Sequence, residues 1–581
     1  MMLVGAMIDT LGVASIMPFI AVLSNPGMVE SNVYLKWAYD AMGLDSARDF
    51  MRFLALVFFL FLVLTIAYKA LSTYLLTRFS LMREYSIGHE LVQRYLGQPY
   101  EWFLSQHSSD IGKSILIEVS RIVGSVIIPM LQLVVQGALV VALLALLVIV
   151  QPEIAAIMGT VLMMAYATIY LMQRSYLRKI GFGIDQANQA RFRVVSEAFT
   201  GIKSVKVSGL ERYYSSLFGK PAFDYAKNVA ASNVATQVPR YALELLAFGG
   251  MMGVIFFLMQ DYGSFQSMLP VLSVYALAAY RLMPAMQQVY TALSTLRVSG
   301  PTLEKLHAKY VAMNSVSIQK CKVPISFESE VRLESISYSY PQSSKMSISQ
   351  VDLLIPVHAS IGIVGTTGSG KTTTIDVILG LLQPTEGRLM VDGQEINEGN
   401  CAEWQKQIGY VPQHIFLTDD TIAANIAYGV PAQLINHQAV IEAAQTANLH
   451  EFVVTELPQK YSTMIGERGV RISGGQMQRI GIARALYKKP RILILDEATS
   501  ALDNLTESAV IDAIFNLGHQ ITTVTIAHRI STVRQCDQIY VMESGRISDS
   551  GTYDELAMRS NLFKGMLGAI DSHGPNQIKV K

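Results

Sequence analysis

Nine consecutive residues, Gly365, Thr366, Thr367, Gly368, Ser369, Gly370, Lys371, Thr372 and Thr373, carry the densest chemistry in the chain. Glycines at this spacing let backbone N–H groups close around phosphates at the start of a helix. Lys371 is the right type to meet the β and γ phosphates, and the Thr372 hydroxyl is the right type to ligate magnesium. Further along, the apolar run Ile492-Leu-Ile-Leu495 delivers Asp496 and Glu497. Asp496 suits the magnesium shell, and a carboxylate one residue beyond it can orient and deprotonate an attacking water, so Glu497 is the expected general base. Between these two segments stands Ile472-Ser473-Gly474-Gly475-Gln476. The three in this order describe hydrolysis of a nucleoside triphosphate, which the phosphate loop alone would not.

Such groups need rigid elements to hold them. Ser360-Ile-Gly-Ile-Val364 reads as a strand feeding the glycine loop, and Thr372-Thr-Thr-Ile-Asp-Val-Ile-Leu379 opens a helix. Ile492–Leu495 has the unbroken apolar character of a strand buried on both faces. From about residue 325 short apolar strands alternate with helical patterns, the signature of a parallel sheet with helices on its faces.

The remainder of the chain is of another kind. Of 581 residues 51% are hydrophobic and only 16% charged, too apolar for a set of ordinary soluble domains. The net charge of +1 offers no basic field for nucleic acid, which is excluded as an expected partner. Cys321, Cys401 and Cys536 have no metal or disulfide spacing and read as plain thiols. The apolar residues gather in runs near 1–23, 53–77, 126–150, 154–173, 239–259 and 264–288, six spans at about 20 residues per crossing. The first run lacks the basic leader and small-residue cleavage site of a signal peptide and is expected to be a genuine span. Residues 174–230 are rich in cations, among them Arg174, Arg178, Lys179, Arg191 and Arg193, which puts this stretch on the cytoplasmic side. The stretches 78–125 and 174–238 are expected to carry the spans on as cytoplasmic helices, reversing near Gln98–Phe103 and Gly209–Tyr214. The expected division is a membrane domain over 1–310, an ATP-binding domain over 325–570 and a tail over 571–581.

With these motifs in this order the chain resembles the ATP-binding cassette (ABC) transporters over essentially its whole length. The resemblance implies an α-helical six-span transmembrane domain of exporter type followed by an α/β P-loop nucleotide-binding domain, with ATP and Mg2+ as cofactors. It implies that Tyr340 stacks on adenine, that Gln413 touches magnesium and water, that His528 contacts the γ-phosphate and that Asp503 crosses to a partner subunit. Ser473, Gly474, Gly475 and Gln476 would bind the γ-phosphate held by an opposite subunit, and Glu467-Arg468 would touch the reversing helices. Ile472 stands where the family most often has Leu, a change at a packing position that leaves activity expected. One cassette per chain implies a homodimer.

Fusion of both domains in this order points to export rather than import, and an intact Glu497 favours turnover over an ATP-gated channel. Within exporters the segments Leu11-Gly-Val-Ala-Ser-Ile-Met-Pro-Phe19, Val238-Pro-Arg-Tyr-Ala-Leu-Glu244 and Tyr280-Arg-Leu-Met-Pro284 resemble flippases of lipid-linked oligosaccharides from bacterial glycosylation systems. The expected substrate is then a polyprenyl-pyrophosphate oligosaccharide in a bacterial inner membrane, with lipid A-like lipids, hydrophobic drugs and peptides as alternatives. Lys69, Arg78 and Arg281 are the cations expected to line a cavity for an anionic head group. The competing reading is that Arg281 pairs with Asp9 or Glu244 as a structural bridge and that Arg78 snorkels to the interface. Val33–Met42 in the first external loop reads either as an interfacial helix with aromatic anchors or as a lid packed on the spans.

Overall fold

Pro18 has no N–H to give the carbonyl of Ala14, and its ring crowds that carbonyl, so the first apolar run forms two helices, Met2–Ala14 and Ile16–Ser24, broken at Ser15. The computed structural model describes residues 2–24, 27, 29, 33–43, 46–106, 108–261, 265–313, 324–341, 343, 345–466, 472–498, 509–514, 520–527 and 529–571. The chain divides into two compact units, one of residues 1–98 and 106–316, the other of residues 99–105 and 317–581.

The first unit holds six helical stretches long and apolar enough to cross a membrane among the described residues: Val4–Ser24, Arg48–Leu96, Asp110–Val150, Pro152–Thr200, Glu211–Phe256 and Leu269–Ala312, here spans 1 to 6. Spans 2, 4, 5 and 6 run for 44 to 49 residues. At a rise of about 1.5 Å per residue each exceeds twice the hydrocarbon thickness of a bilayer, as the helical extensions expected from the sequence require. Leu139, Leu143 and Leu147 of span 3 share an apolar core with Val254 of span 5 and Val274 and Ala278 of span 6. Gly181 fixes a closer contact: a Cβ there would stand 2.1 Å from the Val298 carbonyl oxygen, so only glycine lets spans 4 and 6 meet at this point.

The second reversal lies a few residues ahead of its expected place. The short helix is Ile202–Val207, and Gly209, at φ +63°, supplies the left-handed residue that turns the chain into the helix beginning at Glu211. Span 3 begins with two π-helical segments, Ser114–Glu118 and Val123–Ile127, that no sequence pattern announced. Val33–Met42 is helical; Leu35, Ala38 and Tyr39 pack against the Phe50 cluster, while Val33, Tyr34 and Trp37 stay exposed. The packing of the first face is that of a segment laid on the spans.

Among its described residues the second unit contains ten strands: β1 (Glu330–Tyr338), β2 (Ile348–Pro356), β3 (Ser360–Gly365), β4 (Glu386–Val391), β5 (Gln394–Glu395), β6 (Ile408–Val411), β7 (Ile492–Asp496), β8 (Thr522–Ile526), β9 (Gln538–Glu543) and β10 (Arg546–Gly551). An antiparallel sheet is ordered β2-β1-β4-β5, and a largely parallel one β10-β9-β3-β8-β7-β6. β3, β7 and β8 are buried along their whole length, as parallel strands covered on both faces must be. Three apolar clusters result among the described residues, the smallest around Val364, Val541 and Phe563. Helix Lys371–Ile378 packs with both sheets around Trp404, whereas helix Gly474–Tyr487 packs with helices Ile422–Ile426 and His437–Thr446.

The short helix Tyr100–Leu104 clusters with this unit. Burial, and after it the Glu101 carboxylate, hold the Tyr338 phenol above its ordinary range. Cys401 and Cys536 are buried, the Cys401 thiol donating to the Gly380 carbonyl at 3.2 Å, while Cys321 lies outside the described residues.

Candidate functional site

The carboxyl ends of β3, β8, β7 and β6 are neighbours along one edge of the parallel sheet, and the chemistry-bearing residues leave the strands there. The glycine loop follows β3, Asp496 and Glu497 close β7, and Gln413 lies two residues beyond the end of β6. Open parallel sheets bind ligands at this edge. β8 ends at Ile526, with Ala527 behind it; His528 itself lies outside the described residues, as do Asp503, Glu467 and Arg468.

The loop's backbone fits a phosphate cradle. Gly368 and Gly370 take left-handed φ angles of 78° and 101°, which side chains resist, and a Cβ at Gly365 would lie 2.3 Å from the Met542 carbonyl oxygen. Ser369 Oγ is buried with no hydrogen-bond partner among the described residues, an orphan of the kind a bound oxyanion satisfies. The buried Lys371 ammonium folds onto its own loop, donating to the carbonyls of Gly365 at 2.9 Å and Thr366 at 3.0 Å. Burial lowers its pKa, with the Glu497 and Asp496 carboxylates opposing the shift. Thr372 is exposed beside it, and Thr373 shares a hydrogen bond of 3.2 Å with the Tyr340 hydroxyl. The Tyr340 ring meets Tyr338 edge-on at 5.1 Å.

Asp496 is buried, with the Tyr410 hydroxyl donating to it at 3.5 Å. Glu497 adopts φ +49°, a left-handed backbone that a glutamate occupies at a cost and that clusters at functional positions. The Gln413 amide donates to Glu497 Oε2 at 2.7 Å, so the ends of β6 and β7 present their polar side chains to the same point. Were a magnesium ion bound here, the Asp496 carboxylate, the Thr372 hydroxyl and the Gln413 amide oxygen would be donors of the hard-oxygen type it takes. Ser473 caps helix Gly474–Tyr487 in a reciprocal box: its hydroxyl accepts from Gln476 N at 3.3 Å, and Gln476 Oε1 accepts from Ser473 N at 2.9 Å. The helix behind this exposed N-terminus packs into the core of Ile480 and Ile482, while the strand and helix flanking the glycine loop pack through Ile361, Ile363 and Ile375 into the core around Trp404.

One residue of this region carried no sequence signal. Asp376, on the helix after the loop, is buried, and desolvation followed by repulsion from Asp496 pushes its carboxyl up to about 6.

Within the membrane unit a polar cavity of about 570 Å³ is lined by Asp9, Lys69, Gln132, Gln136, Arg281 and Gln288, among others. Asp9 Oδ2 lies 2.5 Å from Lys69 Nζ, and Asp9 Oδ1 lies 3.5 Å from Arg281 Nη1. Gln136 of span 3 donates to Gln288 of span 6 at 2.6 Å. The structure therefore brings Lys69 and Arg281 together, and pairs Arg281 with Asp9; Glu244 pairs with Arg240 on its own helix. It does not bring Arg78 to this lining: that guanidinium is exposed and donates to the Tyr74 hydroxyl at 3.3 Å. The glutamines were legible only as amides in apolar runs, and their convergence was not.

The family model described as ABC transporter matches residues 348–500, and that described as ABC transporter transmembrane region matches residues 15–272. An "ATP-dependent lipid A-core flippase" of Saccharophagus degradans is 30% identical over 486 residues, covering 83% of this chain and 80% of that protein. A protein of the same name from Chromohalobacter salexigens is 34% identical over 375 residues, 64% of each chain. The solved "Structure of a bacterial Atm1-family ABC exporter with ATP bound" superposes with a TM-score of 0.80 at 22% identity, covering 99% of both chains, a likeness of fold.

Proposed function

The chain belongs to the ABC transporter family as a half-transporter with membrane and ATP-binding parts, and from that premise we propose how its ATP hydrolysis drives the flipping of an anionic lipid. It is an ATP-driven, multi-pass membrane exporter. In our reading Tyr340 stacks on adenine, residues 365–373 hold the phosphates with Lys371 on the β and γ positions, and Glu497 takes the proton of the attacking water that Gln413 helps to orient. His528 supports the γ-phosphate, and Thr372, Gln413 and Asp496 hold a magnesium ion, which when bound neutralises phosphate charge. Ser473, Gly474, Gly475 and Gln476 complete the site of a second copy, with Asp503 crossing to it. The division of glycine loop and Ser473 between two cores of one unit supports that homodimer, because a helix packed in one core does not slide to the other. ATP then favours the closed pair, hydrolysis releases it, and the spans alternate between inward and outward openings.

The observation that carries the cargo reading is the polar cavity, where Lys69 and Arg281 stand against the single carboxylate of Asp9. Cations at membrane depth favour a phosphate-bearing head group over neutral lipids and apolar drugs. We assign the cargo to lipid-linked oligosaccharides carried on polyprenyl pyrophosphate, moved across a bacterial inner membrane. Lipid A-like molecules are the second reading, favoured by the names of the relatives. The test is ATP-dependent translocation in proteoliposomes, with Glu497→Gln as the inactive control. Movement of polyprenyl-pyrophosphate oligosaccharide by the wild type alone supports the first reading. Movement of lipid A alone replaces it with the second, and ATP turnover with neither lipid moved sinks both.

A further inference from the structure

Asp9 is nearly sealed at 3% exposure, while its partners keep a face open, Lys69 at 47% and Arg281 at 23%. The three come from spans 1, 2 and 6, so one carboxylate ties three helices together at the cavity wall. The tie is uneven. Oδ2 is in close contact with Lys69, whereas Oδ1 stands 3.5 Å from Arg281 and has no hydrogen bond among the described residues. Charge is uneven too, with two cations against one anion, so the cavity keeps an attraction for a further anion.

A buried carboxylate is costly to strip of its partners, and cations left behind are costly in proportion to their burial, Arg281 more than Lys69. An incoming group that supplies several phosphate oxygens can meet the guanidinium in a fork and the ammonium at once, which the Asp9 geometry does not achieve. A neutral head group cannot. We propose that Asp9 is an internal counter-ion which an anionic phosphate or pyrophosphate group displaces from Lys69 and Arg281, so that substrate entry breaks the ionic tie of span 1 to spans 2 and 6. This rests on the anionic-cargo reading and deepens it. Asp9 then sets specificity: it excludes lipids too weakly charged to replace it, and it makes the change in the spans depend on cargo.

The test uses the complete protein in lipid nanodiscs, with ATP turnover read against added undecaprenyl pyrophosphate, neutral undecaprenol or inorganic pyrophosphate. The wild type should be stimulated by undecaprenyl pyrophosphate and not by undecaprenol. Asp9→Asn, by removing the competitor, should lower the half-saturating concentration by about tenfold or more, while Asp9→Glu should stay near the wild type. Lys69→Gln should raise it, and adding Asp9→Asn to Lys69→Gln should bring it down again. That second pair carries the comparison if Asp9→Asn alone does not fold. A half-saturation unmoved or raised by Asp9→Asn in both backgrounds overturns the proposal while leaving the cargo reading in place. A wild type that responds to neither lipid overturns both. Equal stimulation by inorganic pyrophosphate assigns the displacing anion to free phosphates, and its inactivity assigns it to the lipid head group; in either case the downward shift with Asp9→Asn upholds the counter-ion.

Discussion

The ATPase unit sets its reactive carboxylates at the ends of strands, whereas the membrane unit sets its own between helices. At the sheet edge Asp496 and Glu497 are neighbours in sequence, and the end of β7 places both. In the membrane unit two charge clusters join distant segments, and they share a stoichiometry. Asp9 faces Lys69 and Arg281; Glu118 faces Lys113 at 3.5 Å and Lys309 at 3.8 Å. The second cluster is the more complete. Ser114 donates to Glu118 at 2.9 Å and receives Lys309 at 2.7 Å, and the Lys113 and Glu118 side chains are only 3% and 4% exposed. Equal charge counts therefore do not make equal sites: the satisfied and sealed cluster holds helices in place, while the open one with an unbonded carboxylate oxygen can exchange partners.

The largest expected effect lies on the ATPase side. Glu497→Gln should lower steady-state ATP turnover by about 10²- to 10⁴-fold, the range for loss of a general base. Asp376→Asn, a neighbouring buried carboxylate outside the reacting edge, should not approach that loss. If the two variants fall together, the assignment of Glu497 as the base fails.

The contrast between the membrane clusters comes next. Glu118→Gln strips a sealed carboxylate from two ammonium groups, and such losses run to about 3–5 kcal/mol. Asp9→Asn should destabilise much less, because Lys69 can turn to the cavity water. Thermal unfolding of the full protein in detergent measures both, and the reverse order would break the distinction drawn here.

How much of this the sequence disclosed follows from the same contrast. Phosphate chemistry demands contiguous residues on a strand-loop-helix, so the glycine loop, Asp496 and Glu497 could be named by number, whereas the capping box of Ser473 and Gln476 appears only in the fold. The six spans and their long extensions followed from apolar run length and helical periodicity. Facing was another matter. That Arg281 meets Asp9 and not Glu244, that Arg78 stays apart, and that Gln136 meets Gln288 depends on how each helix is rotated by its neighbours, which no local pattern records. The π-helical segments behind the Glu118 cluster left no trace either, because a single inserted residue does not disturb hydropathy.

A smaller effect tests the buried acid that the ATPase chemistry does not use. Asp376 titrates near 6 in the fold against an ordinary value of 3.8, so the folded state prefers the neutral carboxyl. That preference favours the fold fully below about pH 4 and is lost as the pH rises through 6, leaving a penalty at neutral and alkaline pH. Allowing for solvent screening, the penalty is about 1–2 kcal/mol. Asp376→Asn should therefore raise the unfolding temperature at pH 8 and leave it unchanged near pH 4. A stabilisation independent of pH would point to packing instead of charge.

The smallest effects come from two helix caps built alike. Thr552 closes helix Tyr553–Arg559 with Glu555 through the same reciprocal box that Ser473 forms with Gln476. Replacing either cap by Ala should cost about 1 kcal/mol of stability. In the proposed homodimer Ser473 would meet a phosphate held by a second copy, so Ser473→Ala should also depress ATP turnover, while Thr552→Ala should lose stability alone. Parallel measurements of unfolding temperature and turnover separate the two roles. Equal turnover in both variants would reduce Ser473 to a structural cap and remove its hydroxyl from the nucleotide site.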